Sequence, residues 1–232
     1  MGRMPTSYAA DLAALSDDAV AAYLTAHSNL PGPRANLELA DAFAHTAGEP
    51  LVTRLAANDD EYLRLCGVMG LGPLIARGDL GRIAVLRENA SSPLWRVREG
   101  VAMALQLLGD EDPARLREIV TEWSADADPL VQRAGIAAIC EPRLLKDERT
   151  ALLAVDACAR TTRSLLARTD RRDPPVRVLR QALGYCWSVA IAAVPGQGLA
   201  AFAELQRGAD PDAAWIVREN LTKARLKRLL PA

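Results

Sequence analysis

Apolar residues recur three and four positions apart along nearly the whole chain, and no stretch holds a period-two alternation, so the pattern predicts helices throughout and no strands. Four segments share one register when laid over one another on an arginine: "SPLWRVREGVAMAL", "DPLVQRAGIAAIC", "DPPVRVLRQALGYCW" and "DPDAAWIVRENLTKARL". Each opens with a capping residue followed by proline, at Ser92-Pro93, Asp128-Pro129, Asp173-Pro174 and Asp210-Pro211. A Ser or Asp oxygen accepts from an orphan N–H of the first turn, and proline presets φ where its missing N–H costs nothing. The aligned arginines are Arg98, Arg133, Arg180 and Arg218. Three residues on lie Val101, Ile136, Leu183 and Leu221, and six residues on lie Ala104, Ile139, Cys186 and Ala224, an apolar set on one helical face.

Spacings between the arginines are 35, 47 and 38 residues, and Arg64, 34 residues before Arg98, heads a weaker match in which Gly67 and Gly70 replace larger side chains. The stretches between these helices, "GDLGRIAVLRENA", "DPARLREIVTEWSA", "RLLKDERTALLAVDACARTTRSLLAR" and "GQGLAAFAELQRG", complete a hairpin with each. Gly109, Gly196 and Gly208 are placed as left-handed helix terminators. Residues 1–57 are less regular and read as helices near 7–14, 17–27, 35–47 and 49–57, with Ser16 as a cap and "SNLPGPR" as a rigid turn.

A repeat of two helices at this period, with Asp at the turn and Arg in the second helix, resembles the HEAT repeat over about residues 58–230. The resemblance implies an all-α fold, a HEAT-like α-solenoid of stacked antiparallel helical hairpins in a right-handed superhelix. Residues 1–57 would be an N-terminal helical capping element and residues 58–232 a single continuous repeat domain. It also implies a structural role for Asp128, Asp173, Asp210 and the four arginines in tying adjacent units together.

Composition fits helices: 50% of the residues are apolar, dominated by Ala and Leu, and only 4% are aromatic. Net charge is −1, which announces no nucleic-acid binder, yet the charges are unevenly spread. Residues 1–62 carry three basic and nine acidic side chains, residues 143–180 ten and five, and residues 215–232 five and one. An anionic partner would therefore be steered to the C-terminal half. Cys66, Cys140, Cys158 and Cys186 have no zinc spacing and sit among apolar neighbours, which predicts buried thiols, no metal and a reducing compartment. No apolar run nears the roughly 20 residues of a membrane span, and no signal sequence opens the chain, so the expectation is a cytoplasmic protein without a membrane partner. "MGRMPT" fits the loose myristoylation pattern as chance would produce it. Neither His27 nor His45 belongs to a nucleophile, phosphate-loop or metal motif, so no cofactor is expected.

Two helices share a string, Trp95-Arg96-Val97-Arg98-Glu99 and Trp215-Ile216-Val217-Arg218-Glu219, that stands Trp and Glu one turn apart on one face. This arrangement resembles the bacterial HEAT-like alkylpurine DNA glycosylases, in which tryptophans and a carboxylate from second helices line a concave cleft. The resemblance implies Trp95 as the aromatic contact, Glu99 as the carboxylate and Trp187 as a second wall. That family usually has Asp at the acidic position. Packing alone places Trp95 and Trp215 against a neighbouring hairpin or in a stack with a guanidinium, and makes Trp123 a packing residue. The basic string "VRENLTKARLKRLL" is the candidate for anion binding, with Val217, Leu221, Ala224 and Leu229 as its buried stripe. The expected function is a non-catalytic scaffold that holds a protein partner on its concave surface through Arg98, Arg133, Arg177, Arg180, Trp215, Arg218, Lys223 and Arg225. A DNA-binding relative of the glycosylases is the alternative.

Overall fold

The computed structural model describes residues 7–230, so the myristoylation-like pattern lies outside the described residues. Among them are fourteen α-helices, one short 3-10 helix and no strand, an all-α fold. The contacts gather into two compact units, Met1–Glu111 and Asp112–Ala232.

The first unit holds α1 (Ser7–Ala13), α2 (Asp17–Ala26), α3 (Leu37–Thr46), α4 (Glu49–Ala56), α5 (Glu61–Ala76), α6 (Arg82–Ala90) and α7 (Trp95–Glu111). The four N-terminal helices begin and end within two residues of their predicted bounds. Helix α5 is the centre. Asp60 caps it by accepting from the N–H groups of Tyr62 and Leu63, and from Leu65 to Ile75 every residue is buried. At two of its glycines neighbouring backbones touch. A Cβ on Gly67 would stand 2.1 Å from the Ala56 nitrogen of α4, and one on Gly72 would stand 2.1 Å from the Ala104 carbonyl oxygen of α7. Because α3 and α4 seat directly on α5, the N-terminal helices belong to the same body as α5–α7. The contacts divide between residues 111 and 112.

The second unit holds α8 (Pro113–Trp123), α9 (Pro129–Ile139), the 3-10 turn Leu144–Lys146, α10 (Glu148–Leu166), α11 (Pro174–Ala193), α12 (Pro195–Arg207), α13 (Pro211–Leu221) and α14 (Ala224–Lys227). Here α8 packs on α10 and α10 on α12, while α9 packs on α11 and α11 on α13. Within this unit, each of these helices thus neighbours the next but one along the chain.

Local chemistry explains most boundaries. Asp128 caps α9 through Leu130 N–H, and Asp210 caps α13 through Asp212 and Ala213 N–H, each with proline as the first helical residue. Asp112 caps α8 in the same way, and Asp147 caps α10 through Thr150 N–H without a proline. Four expectations need correction. Ser92-Pro93 stands before a turn, in which Ser92 Oγ accepts from Leu94 N–H, and α7 begins two residues later at Trp95. Ser16 and Asp173 occupy cap positions without a side-chain cap bond. Gly109 is buried inside α7, Gly196 lies in the first turn of α12, and Gly208 ends α12 in extended backbone. Gly78, after α5 with φ +102°, is the one glycine with positive φ among the described residues.

The last expectation to fail is the terminal stripe. Helix α13 stops at Leu221, and a turn at Thr222 restarts the chain as α14, so the register breaks. Ala213, Ile216, Asn220 and Leu226 are buried there, while Val217 and Leu221 are half-buried and Ala224 is exposed. The buried Asn220 amide replaces an apolar contact. Its Oδ1 accepts from Ser188 N–H at 2.8 Å, and its Nδ2 donates to the Leu183 carbonyl at 2.9 Å, clamping α13 to α11.

All four thiols are free and buried. Cys140 and Cys158 lie 3.8 Å apart; the hydrogen bond to Cys158 together with burial pushes the Cys140 thiol well up, so it stays protonated. Among the described residues no group of three or more His, Cys, Asp or Glu could hold a metal ion, and no helix is long and apolar enough to cross a membrane.

Candidate functional site

The residues singled out for binding fall into two environments. Most are engaged within their own unit. In the first unit, Arg98 donates to the carbonyls of Ser92 and Pro93, closing the turn that launches α7. In the second unit, Arg180 donates to Asp212 Oδ1 at 2.7 Å and lies 4.5 Å over the Trp215 ring, which in turn packs on the bare Cα of Gly184. Arg225 lies 5.0 Å over Tyr185. Arg133 is half-buried, as is Lys223 at the cap of α14. Arg180, Trp215 and Arg225 join α11 to α13 and α14. Arg177 and Arg218 are exposed, and Arg218 borders a cavity.

The three residues assigned to base excision are not alike. Trp95 is 51% exposed, with the Arg96 guanidinium 4.5 Å over its ring and Arg96 itself paired to Glu61. Of the two packing expectations for Trp95, the stack with a guanidinium is the one seen. Glu99 is half-buried one turn further along α7. Trp187 belongs to the second unit, is 1% exposed, and donates its indole N–H to Thr162 Oγ1 at 3.1 Å. An indole held so deeply is a packing group, and it does not offer a face to a base. Trp123 is wholly buried, as packing predicted.

The concave chemistry of the second unit lies elsewhere, at the C-terminal end of α12. A cavity of about 400 Å³ opens between α10, α12 and the start of α13, with Ala159, Leu166, Ala201, Leu205, Ala213 and Trp187 among its walls. A second cavity of about 430 Å³ opens between the end of α12, α13 and α14, lined by Leu205, Val217 and Leu221 with Arg218 and Lys227. The two share Leu205 and Gly208, so they back onto each other across one side chain and one glycine. Both volumes fall in the range of ligand-holding clefts.

The far rim of the first cavity is braced. Arg171 donates to Asp210 Oδ2 at 2.5 Å and to the Leu166 carbonyl, tying the end of α10 to the cap of α13. Burial works against ionisation of Asp210, but bonds from Arg171 and from the Asp212 and Ala213 N–H groups outweigh it and hold the carboxyl below its ordinary range. Sequence reasoning missed Leu205, Gly208 and Arg163 here. The cavities are assembled from single residues of several helices, none of which departs from an ordinary helical pattern.

These observations define an all-helical protein whose recognisable concave feature is an apolar groove bordered by cations. No protein-family model matches the chain. No curated protein matches it either. Among solved structures, a crystal structure of an engineered protein is 19% identical with a TM-score of 0.38, covering 96% of this chain and 96% of its own. A second engineered protein is also 19% identical with a TM-score of 0.38, covering 95% of this chain and 57% of its own.

Proposed function

We propose that this chain is a non-catalytic interaction module of HEAT-like stacked hairpins that holds a segment of a protein partner in the groove at the end of α12. The next-but-one packing of α8 to α13 in the second unit supports the repeat reading. The observation that carries the function is the pair of adjoining cavities sharing Leu205 and Gly208. Each offers apolar wall to a side chain, and a flexible segment can cross the shared edge to fill both. Arg180, Trp215 and Arg225 support this indirectly, since they hold α11, α13 and α14 together beside the groove.

Panning a random peptide display against the full chain tests the reading. Peptides should be enriched on the wild type and lost on Leu205→Glu, which places a charge in both cavities from a half-exposed position and leaves the helical circular dichroism unchanged. Enrichment of nothing, or of peptides that bind Leu205→Glu as well, overturns it.

Excision of alkylated bases from DNA is the second reading, favoured by the exposure of Trp95 one turn from Glu99. Fluorescence anisotropy with a duplex bearing an abasic-site mimic, across a salt series, tests it. Binding with a steep salt slope, together with release of a methylated purine that Glu99→Gln abolishes, supports it. No binding at low salt removes it.

A further inference from the structure

Charge at the two cavities says what kind of segment fits. At the mouth of the first cavity stand Arg163, Glu204 and Asp210. Glu204 is paired with Arg207, and Asp210 is committed to Arg171 and to backbone N–H groups. Arg163 is exposed, and among the described residues its guanidinium has no hydrogen-bond or ion-pair partner. The second cavity has Arg218 and Lys227 on its lining and no acidic residue, and both cations are exposed and likewise without side-chain partners among the described residues. Three uncommitted cations therefore flank apolar walls, while the nearby carboxylates are already neutralised.

Resting on the reading of the groove as a docking surface, we infer that its occupant is an acidic–apolar protein segment: bulky apolar side chains enter the two cavities, and Asp or Glu residues beside them meet Arg163 on one side and Arg218 and Lys227 on the other. The apolar walls decide against nucleic acid. A phosphate backbone needs a continuous track of cations and donors, whereas the first cavity, walled by Ala, Leu and Trp, offers Arg163 as its one cation beside the carboxylates of Glu204 and Asp210. A cavity of about 400 Å³ instead has room for bulky apolar side chains. Cations at the rim steer approach and fix register, while the apolar anchor supplies affinity.

The peptides enriched by display supply the probe. They should carry Asp or Glu within about one helical turn of a Leu, Phe or Trp. Fluorescein-labelled copies should bind about tenfold more weakly to Arg163→Glu and lose affinity as NaCl rises from about 50 to about 500 mM. Replacing the acidic residues of the probe by Lys should restore binding to Arg163→Glu and weaken it on the wild type. Arg218→Glu with Lys227→Glu is the matching variant for the second cavity; all three side chains are exposed, so circular dichroism should report unchanged folding. Enriched peptides with neutral or basic flanks, or affinities that stay within about twofold on charge reversal and on added salt, overturn this inference and leave the groove reading standing. Absence of any enriched peptide overturns both.

Discussion

Gly72 and Gly196 are both helical, and the space around them separates their roles. A methyl on Gly72 meets the Ala104 backbone at 2.1 Å, whereas one on Gly196 meets nothing within 4 Å. Gly72→Ala should cost about 3 kcal/mol because two helix backbones must part. Gly196→Ala should gain about 0.5–1 kcal/mol by restricting the unfolded chain, and urea unfolding midpoints measure both. Asp210 carries a pH signature. Its carboxyl titrates lower in the folded protein than in the unfolded chain, so its contribution is complete above about pH 4 and is lost as pH falls through the lower native value. Asp210→Asn keeps a cap and loses the pairing with Arg171. It should therefore be less stable than wild type by about 1 kcal/mol near neutrality, and the gap should close as the pH of the melt is lowered toward about 2.

Helix positions were legible because capping and proline act within a few residues of the element they start. Asp128-Pro129, Asp173-Pro174 and Asp210-Pro211 each open a helix where the spacing predicts one. Packing roles were not legible, since Gly109 in a helical pattern and Gly208 at a helix end look alike until the neighbouring helix is present. The same holds for "VRENLTKARLKRLL", which reads as one amphipathic helix but breaks after Leu221, with Asn220 as its buried anchor. Asn220→Ala removes the partner of the Ser188 N–H and the Leu183 carbonyl, and should cost about 2 kcal/mol in chemical unfolding. Nothing in the pattern marks the end of α12 as concave, because Leu205 and Ala213 are ordinary apolar positions until α10 and α14 close around them.

Taken as a whole chain, the acidic start and basic finish seen in the sequence follow the two units. Met1–Glu111 carries nine basic and fourteen acidic side chains, and Asp112–Ala232 nineteen and fifteen. The uncommitted cations of the groove belong to the unit with the basic excess. The four tryptophans report on both units and are unequal. Trp123 and Trp187 are buried, Trp215 lies half-buried under Arg180, and Trp95 stands in solvent. Trp95→Phe should therefore abolish most acrylamide quenching of the native emission, while Trp187→Phe should leave the quenching slope nearly unchanged. A steep slope retained in Trp95→Phe would mean that another indole reaches solvent.

Where α5 meets α7, Gly72 lies so close to the Ala104 carbonyl that no side chain fits between the two backbones at that point. Such a joint has no intermediate setting. Amide protons on both sides of it should consequently exchange with deuterium in step, slowed to the same extent and released together by denaturant, whereas those of the short α14 should fray ahead of them.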